Sequence, residues 1–300
     1  MHDSPFVIET DGLMKRFGLR TVLDRVTLRV PHGQVIGLLG LNGSGKSTLI
    51  KCLLGLLRPD AGRAALLNAD SWQLAAREKS LIGYVPQESM LYPWLTVRQT
   101  VAYVSSFYPS WDRAWGEELV RRWDLPLGHR VGPLSVGQKQ KLALGHRPEV
   151  LILDEPVASL DPVARRWFLE TVLETVADGV GTVLFSTHII SDLERIASHV
   201  ALLRDGRLEF HDEIDALKDR IKRLRITAPV DLPRDLRLPG TLRSVVRGSQ
   251  AIVTLDEVSE PLIAGIRERL SADVVVDDLN LEEIFLELHD AESAAAAVGR

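Results

Sequence analysis

The sequence has a single cysteine, Cys52, among its 300 residues. One cysteine excludes a disulfide bond within the chain and is typical of proteins from a reducing compartment. The sequence also lacks any apolar run close to the roughly 18 to 20 residues that a membrane-spanning helix needs. Its first residues have neither a basic start nor an apolar core, so we expect no secretory signal. Any role at a membrane is therefore expected to depend on a partner protein.

The sequence has no excess of positive charge either. It contains 36 Lys and Arg residues against 41 Asp and Glu residues, which gives a formal net charge of −5. This balance argues against a protein that binds nucleic acid through bulk charge, and we expect no nucleic-acid partner. Hydrophobic residues at 45% and charged residues at 26% are ordinary for a globular protein. A chain of this length forms one large domain or two ordinary ones.

Short apolar runs alternate with helical patterns through the first two thirds of the chain. The apolar run at 150–153 has no polar alternation, which is typical of a strand covered on both faces of a parallel sheet. The pattern predicts an α/β domain over residues 1–212, with an inserted helical subdomain at about 95–145. We predict helices over residues 46–57, 162–177 and 189–196, and strands over residues 6–9, 21–30, 34–39, 82–85, 150–153, 182–186 and 199–203.

The composition changes near residue 212. Pro229, Pro233 and Pro239 interrupt a segment that therefore cannot be one helix. Residues 213–300 are predicted to form a small α+β domain with a frayed end at 293–300. Its last helix would be capped by Asn280, with Glu283 in the reciprocal capping position. We predict a hairpin of strands 244–246 and 251–255, a helix over 262–270, a strand over 273–276 and a helix over 281–288.

Residues 40–47 match the phosphate-loop pattern G-x-x-x-x-G-K-[ST] between a predicted strand and a predicted helix. Glycines let the backbone curl so that several N–H groups point at phosphate oxygens, and the helix N-terminus adds partial positive charge. Lys46 would reach the outer phosphates, and the Ser47 hydroxyl would coordinate Mg²⁺. The candidate nucleotide ligands of this segment are Gly40, Leu41, Asn42, Gly43, Ser44, Gly45, Lys46, Ser47 and Thr48.

Two carboxylates, Asp154 and Glu155, follow the buried strand predicted at 150–153. Ligands of open α/β sheets bind at the C-terminal ends of the strands, so this pair is expected beside the phosphate loop. Asp154 would hold the Mg²⁺, directly or through water. Glu155 would then orient and deprotonate the attacking water. A strand end that merely runs into a solvated turn is the alternative interpretation.

The segment Leu134-Ser135-Val136-Gly137-Gln138 distinguishes the chain from other phosphate-loop proteins. It resembles the Leu-Ser-Gly-Gly-Gln signature of ABC ATPases, and the resemblance then extends over most of the chain. In that family the signature serine and glycine cap the γ-phosphate of ATP bound to the opposite subunit, so two chains enclose two nucleotides. The resemblance implies that Ser135, Gly137 and Gln138 contact ATP. Ser135 is also a good N-cap for the following helix, and a helix N-terminus binds anions well.

Further residues match the family in the same order along the chain. The resemblance implies that Phe17 stacks on adenine and that Gln87 senses Mg²⁺ and the membrane partner. It implies that His188 contacts the γ-phosphate, and that residues 158–161 link the two sites of the dimer. The same residues allow plainer interpretations, since an aromatic residue often packs and a lone histidine after a strand is often structural. The implied catalytic set is Lys46, Gln87, Glu155 and His188.

Two features depart from the family pattern. Val136 replaces the first glycine of the signature pair, and only glycine has free access to positive φ. The 17 steps from Gly137 to Asp154 are fewer than the family commonly shows, by about one helical turn. We expect the valine to be tolerated because Ser135 and Gly137 remain. The shorter segment predicts either a competent shortened helix or a poorly hydrolysing variant.

The resemblance implies an ATP-hydrolysing subunit that powers a membrane transporter from the cytoplasmic face of the membrane. Its expected partners are a separate permease and a second ATPase subunit, identical or closely related. Segments 107–112 and 279–285 are similar to a bacterial branch that works with ABC-2 exporters. Aromatic residues cluster after Gln87, where they either fill the helical subdomain or line a groove for a permease helix. The alternatives are a soluble ABC ATPase of DNA repair or translation, and a regulatory module that clamps ATP with weak hydrolysis.

Overall fold

A computed structural model describes residues 4–87, 91–109, 111, 113–122, 125–134, 148–158, 160–177 and 181–288. The chain divides into two compact units, Met1–His211 and Asp212–Arg300. None of the helices that the structure describes combines the length and the apolar composition that crossing a bilayer requires. The end predicted to fray, 293–300, lies outside the described residues.

The described part of the first unit has strands and helices in alternation, as predicted. Its strands are β1 (Phe6–Phe17), β2 (Arg20–Pro31), β3 (Val35–Leu39), β4 (Ala61–Leu66), β5 (Ala69–Asp70), β6 (Ile82–Val85), β7 (Val150–Asp154), β8 (Thr182–Thr187), β9 (His199–Arg204) and β10 (Arg207–Glu213), which crosses the boundary between the units. Its helices are α1 (Lys46–Leu53), α2 (Ala76–Lys79), α3 (Val97–Ser105), α4 (Arg113–Arg122), α5 (Pro162–Ala177) and α6 (Ile190–Ile196).

Six strands form one sheet in the order β10-β9-β3-β8-β7-β6. Strand β3 pairs in parallel with β8 and β9, and β7 pairs in parallel with β6 and β8. Every residue of β3, β7 and β8 is buried, as expected of apolar strands covered on both faces. The predicted parallel sheet is confirmed, and its parallel strands end at one common edge.

The other sheet of the first unit has the order β2-β1-β4-β5 and antiparallel pairing. One apolar core joins this sheet to α1 and to the six-stranded sheet, with Leu13, Leu49, Leu53 and Ile152 among its fully buried side chains. Helix α1 is thereby fixed at the end of β3. The strand predicted at 6–9 continues to Phe17 in the structure. Register shifts in its pairing with β2 accommodate Gly12 without ending the strand.

The helix predicted at 46–57 is shorter than expected, because α1 ends at Leu53. Gly55 has a φ of 66°, and a Cβ there would lie 2.0 Å from the carbonyl oxygen of Ser71. Only glycine fits this left-handed position, so the chain leaves the helix here. Two helices, α3 and α4, occupy described parts of the segment predicted to be helical. A reciprocal cap between Thr96 and Gln99 begins α3.

The described part of the second unit contains a four-stranded antiparallel sheet and three helices. These are α7 (Ile214–Arg220), β11 (Ile221–Thr227), β12 (Thr241–Arg247), β13 (Gln250–Asp256), α8 (Glu260–Leu270), β14 (Asp273–Asp278) and α9 (281–288). The strand order is β12-β13-β11-β14. One sheet face packs on α8 through a core that includes Leu224, Val253 and Ile263. The predicted cap of α9 is confirmed: the Glu283 N–H donates to Asn280 Oδ1 at 2.9 Å, and the Asn280 N–H donates to Glu283 Oε2 at 3.1 Å.

Candidate nucleotide-binding site

The phosphate loop connects the end of β3 to the first turn of α1. Gly45, immediately before the helix, has a φ of 112°, and a Cβ there would lie 2.9 Å from the carbonyl oxygen of Val22. A Cβ on Gly40 would lie 2.4 Å from the carbonyl oxygen of Leu203. Both glycines are therefore required by the close approach of β2 and β9. The loop is held by the strands around it, and Asn42, Gly43 and Gly45 line a cleft beside it.

Lys46 is almost completely buried, with 5% of its side chain exposed. Its Nζ donates hydrogen bonds to the carbonyl oxygens of Gly40 at 2.6 Å and Leu41 at 3.2 Å. It also lies 3.0 Å from Glu155 Oε1. A buried ammonium is stable only when it is paired in this way, and phosphate oxygens can replace the two carbonyl groups as its partners.

Asp154 joins the phosphate loop to the neighbouring strands. Ser47, in the first turn of α1, donates from its hydroxyl to Asp154 Oδ1 at 3.1 Å. Ser186 at the end of β8 donates to the same oxygen at 2.8 Å, and its own hydroxyl accepts the backbone N–H of Glu155 at 3.0 Å. The predicted Ser47 and Asp154 are thus brought together. Sequence analysis assigned Ser186 only to a strand, since a serine in an apolar run carries no motif.

Glu155 lies between two basic side chains. Its Oε1 faces Lys46, and its Oε2 lies 2.6 Å from His188 Nδ1. The Glu155 side chain is 6% exposed, whereas that of His188 is 38% exposed. Glu155 has a φ of 48°, a left-handed conformation that costs about 1–3 kcal/mol for a residue with a side chain. The contacts with Lys46 and His188 hold it in this conformation, which aims its carboxylate at the phosphate loop.

These groups border a cleft of about 340 Å³ that opens beside the phosphate loop. Phe17 stands at its mouth with 52% of its surface exposed, and Gln87 also lines it. Arg20 follows Phe17 across the β1–β2 turn, and its Nη2 lies 4.0 Å from the place of a Cβ on Gly43. Sequence analysis missed Arg20, because a lone arginine in a hairpin carries no pattern. The cleft is lined by Phe17, Arg20, Val22, Asn42, Gly43, Gly45, Lys46, Ser47, Thr48, Gln87 and Glu155.

Some predicted residues lie outside this cleft or outside the described chain. Asp154 and His188 do not line the cleft directly but contact Ser47 and Glu155, which do. Asp161 accepts the N–H groups of Val163 and Ala164, both at 3.0 Å, and so caps α5. The predicted ATP contacts Ser135, Gly137 and Gln138 lie outside the described residues, as do Val136 and the shortened segment up to residue 147.

Comparison with known proteins gives consistent relatives. A family model described as "ABC transporter" matches residues 23–158. The chain is 28% identical over 287 residues to the ABC transporter ATP-binding protein YtrB of Bacillus subtilis (strain 168), covering 93% of this chain and 97% of that protein. It is 31% identical over 298 residues to the Nod factor export ATP-binding protein I of Paraburkholderia xenovorans (strain LB400), covering 95% of this chain and 97% of that protein.

Solved structures give the same result at the level of the fold. A structure described as "Structure of ATP binding subunit of ABC transporter" superposes with a TM-score of 0.63 at 30% sequence identity. The superposition covers 71% of this chain and 92% of that chain. The rest of this chain has no counterpart in that superposition.

Proposed function

Because the chain belongs to the ABC transporter family of ATP-binding proteins, we propose that ATP and Mg²⁺ bind at the phosphate-loop cleft of the first unit. Hydrolysis there would drive an exporter through a separate permease. The observation that carries this proposal is the convergence of Lys46, Glu155 and the Ser47–Asp154 pair on one cleft. Phosphoryl transfer needs positioning and charge stabilisation, and these side chains supply both.

The residues beside the phosphate loop fit a magnesium ion. Mg²⁺ prefers oxygen ligands and is commonly bound by one or two carboxylates together with substrate phosphates. The Ser47 hydroxyl and Asp154 Oδ1, 3.1 Å apart, would hold it, with Gln87 nearby on the cleft wall. Among the described residues there is no cluster of three or more His, Cys, Asp or Glu side chains that could hold a metal. This agrees with a cation that arrives with the phosphates, whose charge it would neutralise.

The chain's own groups account for the rest of the reaction. Lys46 would exchange its carbonyl partners for phosphate oxygens, and Phe17 would stack on the adenine. When Lys46 turns toward the nucleotide, Glu155 is freed to accept a proton from the attacking water. His188, 2.6 Å from Glu155, would orient that carboxylate and reach the outer phosphate beside it. Catalysis would then rest on a buried base held between two basic groups.

The open cleft supports a dimer as the active form. Asn42 and Gly43 are exposed, and Phe17 is only half covered, so one chain alone leaves a bound nucleotide open to water. Ser135, Gly137 and Gln138 of a second copy, or of a close homologue, would close it. Closing would exclude water other than the nucleophile and strengthen each charged contact.

An aromatic cluster after Gln87 supports a site for the permease. The ring of Tyr92 lies 5.0 Å from that of Trp94 in a tilted arrangement and 5.4 Å from that of Tyr103 edge-on, and the rings of Tyr103 and Phe107 meet edge-on at 5.0 Å. All four are 41–63% exposed, which core residues are not. Contiguous exposed apolar surface marks an interaction site. A permease helix bound here would hold the ATPase at the cytoplasmic face of the membrane.

Export is supported by the relative named for Nod factor export. A soluble ABC ATPase of DNA repair or translation is not favoured, since the relatives are transporter ATP-binding proteins. A clamp with weak hydrolysis is disfavoured by the direct contact of His188 with Glu155. We assign the ATPase activity to the first unit and a separate role to the second unit.

The test is Glu155→Gln in the full chain. We expect phosphate release to fall at least about 100-fold, because a general base contributes that much. ATP binding should persist, and gel filtration with MgATP should show a dimer, since ATP is retained. Glu149→Gln is the matched control, because Glu149 is an exposed carboxylate just before β7. Unchanged phosphate release in Glu155→Gln would refute the assignment.

A further inference from the structure

A second cavity lies in the C-terminal unit, on the sheet face opposite to α8. Its volume is about 430 Å³, which is larger than the nucleotide cleft. Pockets of this size hold small ligands. Three arginines, Arg223, Arg243 and Arg247, line it together with the single carboxylate of Glu287. The proposed ATPase uses none of these residues.

The strand register places these side chains in ordered rows across the sheet. Arg243 on β12 lies opposite Thr254 on β13, which lies opposite Arg223 on β11. In the next row of the same face, Val245 lies opposite Ile252. Alternate residues of a strand share a face, so these rows form one surface.

The third row of this face, beyond Val245 and Ile252, begins with Arg247, opposite Gln250. Residues along one face of a strand repeat about every 6.7 Å, so Arg243 and Arg247 are about 13 Å apart at the backbone. The cavity is therefore an elongated slot with a basic residue near each end and an apolar middle.

Glu287 forms one end of the slot and is incompletely bonded. Its side chain is 7% exposed, and its Oε1 accepts a hydrogen bond from Arg223 Nη2 at 3.1 Å. Its Oε2 is buried and has no hydrogen-bond partner among the described residues; Arg243 Nη1 approaches it only to 3.9 Å. A buried carboxylate oxygen that lacks a donor costs free energy, and a ligand N–H group placed here would recover it.

The remaining lining indicates the other features of the ligand. Arg223 pairs with both Glu283 and Glu287, whereas Arg247 has no carboxylate partner among the described residues, so the ligand carries negative charge at the Arg247 end. Arg247 is exposed at the end remote from Glu287, where it can bind a carboxylate in two-point geometry. Val245 and Ile252, 38% and 48% exposed, offer an apolar floor between the two ends.

We propose that this slot binds a short peptide with a free carboxylate. The carboxylate would pair with Arg247, an apolar side chain would lie on Val245 and Ile252, and a peptide N–H would donate to Glu287 Oε2. An extended peptide advances about 3.3–3.6 Å per residue, so three residues cover about 10–11 Å of the roughly 13 Å between the backbones of Arg243 and Arg247. The N-terminal group of the ligand can be acylated, since a neutral N–H donor suits a carboxylate that two guanidinium groups, those of Arg223 and Arg243, already approach.

The probe is the tripeptide N-acetyl-alanyl-leucyl-alanine, titrated into the full chain without nucleotide and followed by calorimetry. We expect saturable binding at one site. The same tripeptide with its carboxylate converted to an amide should bind at least about tenfold more weakly, because it loses a charge-assisted pair. Direct binding is the readout, so the result does not depend on ATP hydrolysis and is separable from the proposed ATPase function.

Two variants locate the site. Arg247→Met, at an exposed position, should weaken binding of the acid about tenfold and leave the weaker binding of the amide unchanged. Glu287→Gln should weaken both ligands, with thermal melting used to verify its fold. Arg269→Met, an exposed arginine on α8 at the opposite face, is the matched control and should bind like the unaltered chain. Absence of saturable binding, or equal affinity in Arg247→Met, overturns the proposal.

Discussion

The nucleotide cleft and the C-terminal slot each contain a nearly buried glutamate paired with a basic side chain, but they build this pair on different scaffolds. In the cleft, Lys46 Nζ lies 3.0 Å from Glu155 Oε1; in the slot, Arg223 Nη2 lies 3.1 Å from Glu287 Oε1. Both carboxylates are nearly buried, at 6% and 7% exposure. The cleft takes most of its groups from one loop, whereas the slot takes them from three strands and a helix. A site on one loop leaves a motif in the sequence, and a site assembled across strands does not.

The two pairs also differ in how much they depend on a ligand. Lys46 is 5% exposed, so its charge is satisfied only by the groups of the cleft. Arg223 is 25% exposed and has two carboxylate partners, Glu283 at 2.9 Å and Glu287 at 3.1 Å. Burial lowers the pKa of the Arg223 guanidinium, but its hydrogen bonds and ion pairs with Glu283 and Glu287 together raise that pKa above its usual value. The first pair is therefore expected to matter mainly for binding, and the second mainly for folding.

The largest expected effect comes from Lys46→Met. Removing the ammonium deletes the proposed phosphate partner in the cleft, and we expect ATP affinity to fall at least about 100-fold. Calorimetric titration with ATP measures it. Lys51→Met is the control, because Lys51 lies on the same helix but is exposed. Equal ATP affinity in Lys46→Met and Lys51→Met would contradict the expectation that the Lys46–Glu155 pair serves binding, in contrast to the Arg223–Glu287 pair, which serves folding.

The second expected effect concerns stability of the C-terminal unit. Arg223→Met leaves Glu287 buried without its close cation, which we expect to cost about 1–3 kcal/mol, reduced from a fully buried pair by partial exposure. Lys222→Met is the matched control on the same strand, since its partner Asp278 is 88% exposed and such surface pairs contribute about 0–1 kcal/mol. Urea unfolding followed by circular dichroism compares them. Equal urea midpoints for Arg223→Met and Lys222→Met would show that pairing the buried Glu287 does not contribute to the free energy of unfolding.

The smallest expected effect is at the mouth of the cleft. Phe17→Ala removes a stacking surface that is half exposed, so we expect a loss of about 1 kcal/mol, roughly fivefold in ATP affinity. Phe17→Tyr should retain nearly full affinity because the ring remains. Fluorescent-nucleotide titration resolves such a difference. An affinity in Phe17→Ala equal to that of the unaltered chain would contradict the adenine-stacking role.

Much of the fold followed from local patterns. The helix at Pro162–Ala177 and the strand at Ile82–Val85 have the predicted bounds. The segment from Arg207 to Thr227 was missed, because the charged residues of β10, α7 and β11 hide their apolar periodicity. Helix α1 ended early for a tertiary reason, the approach of Ser71 to Gly55. Local signals therefore predicted elements, and contacts between distant segments set their ends.

The candidate site shows the same limit at atomic scale. Lys46, Ser47, Asp154 and Glu155 could be named in advance, because each follows a buried strand in a recognisable order. The bond from Ser186 to Asp154 could not, since it joins residues 32 positions apart. The left-handed φ of 48° at Glu155 and its contact with His188 were equally invisible.

The sequence by itself determined the phosphate loop, the acidic strand end and the change of composition near residue 212, because these depend on neighbouring residue types. Only the tertiary structure decided which side chains share a cavity. In the first unit Lys46 contacts Glu155, and in the second unit Arg243, Val245 and Arg247 lie along one face of the sheet. The physical reason is that charge and burial act through space, so residues far apart in sequence can face the same few cubic ångströms.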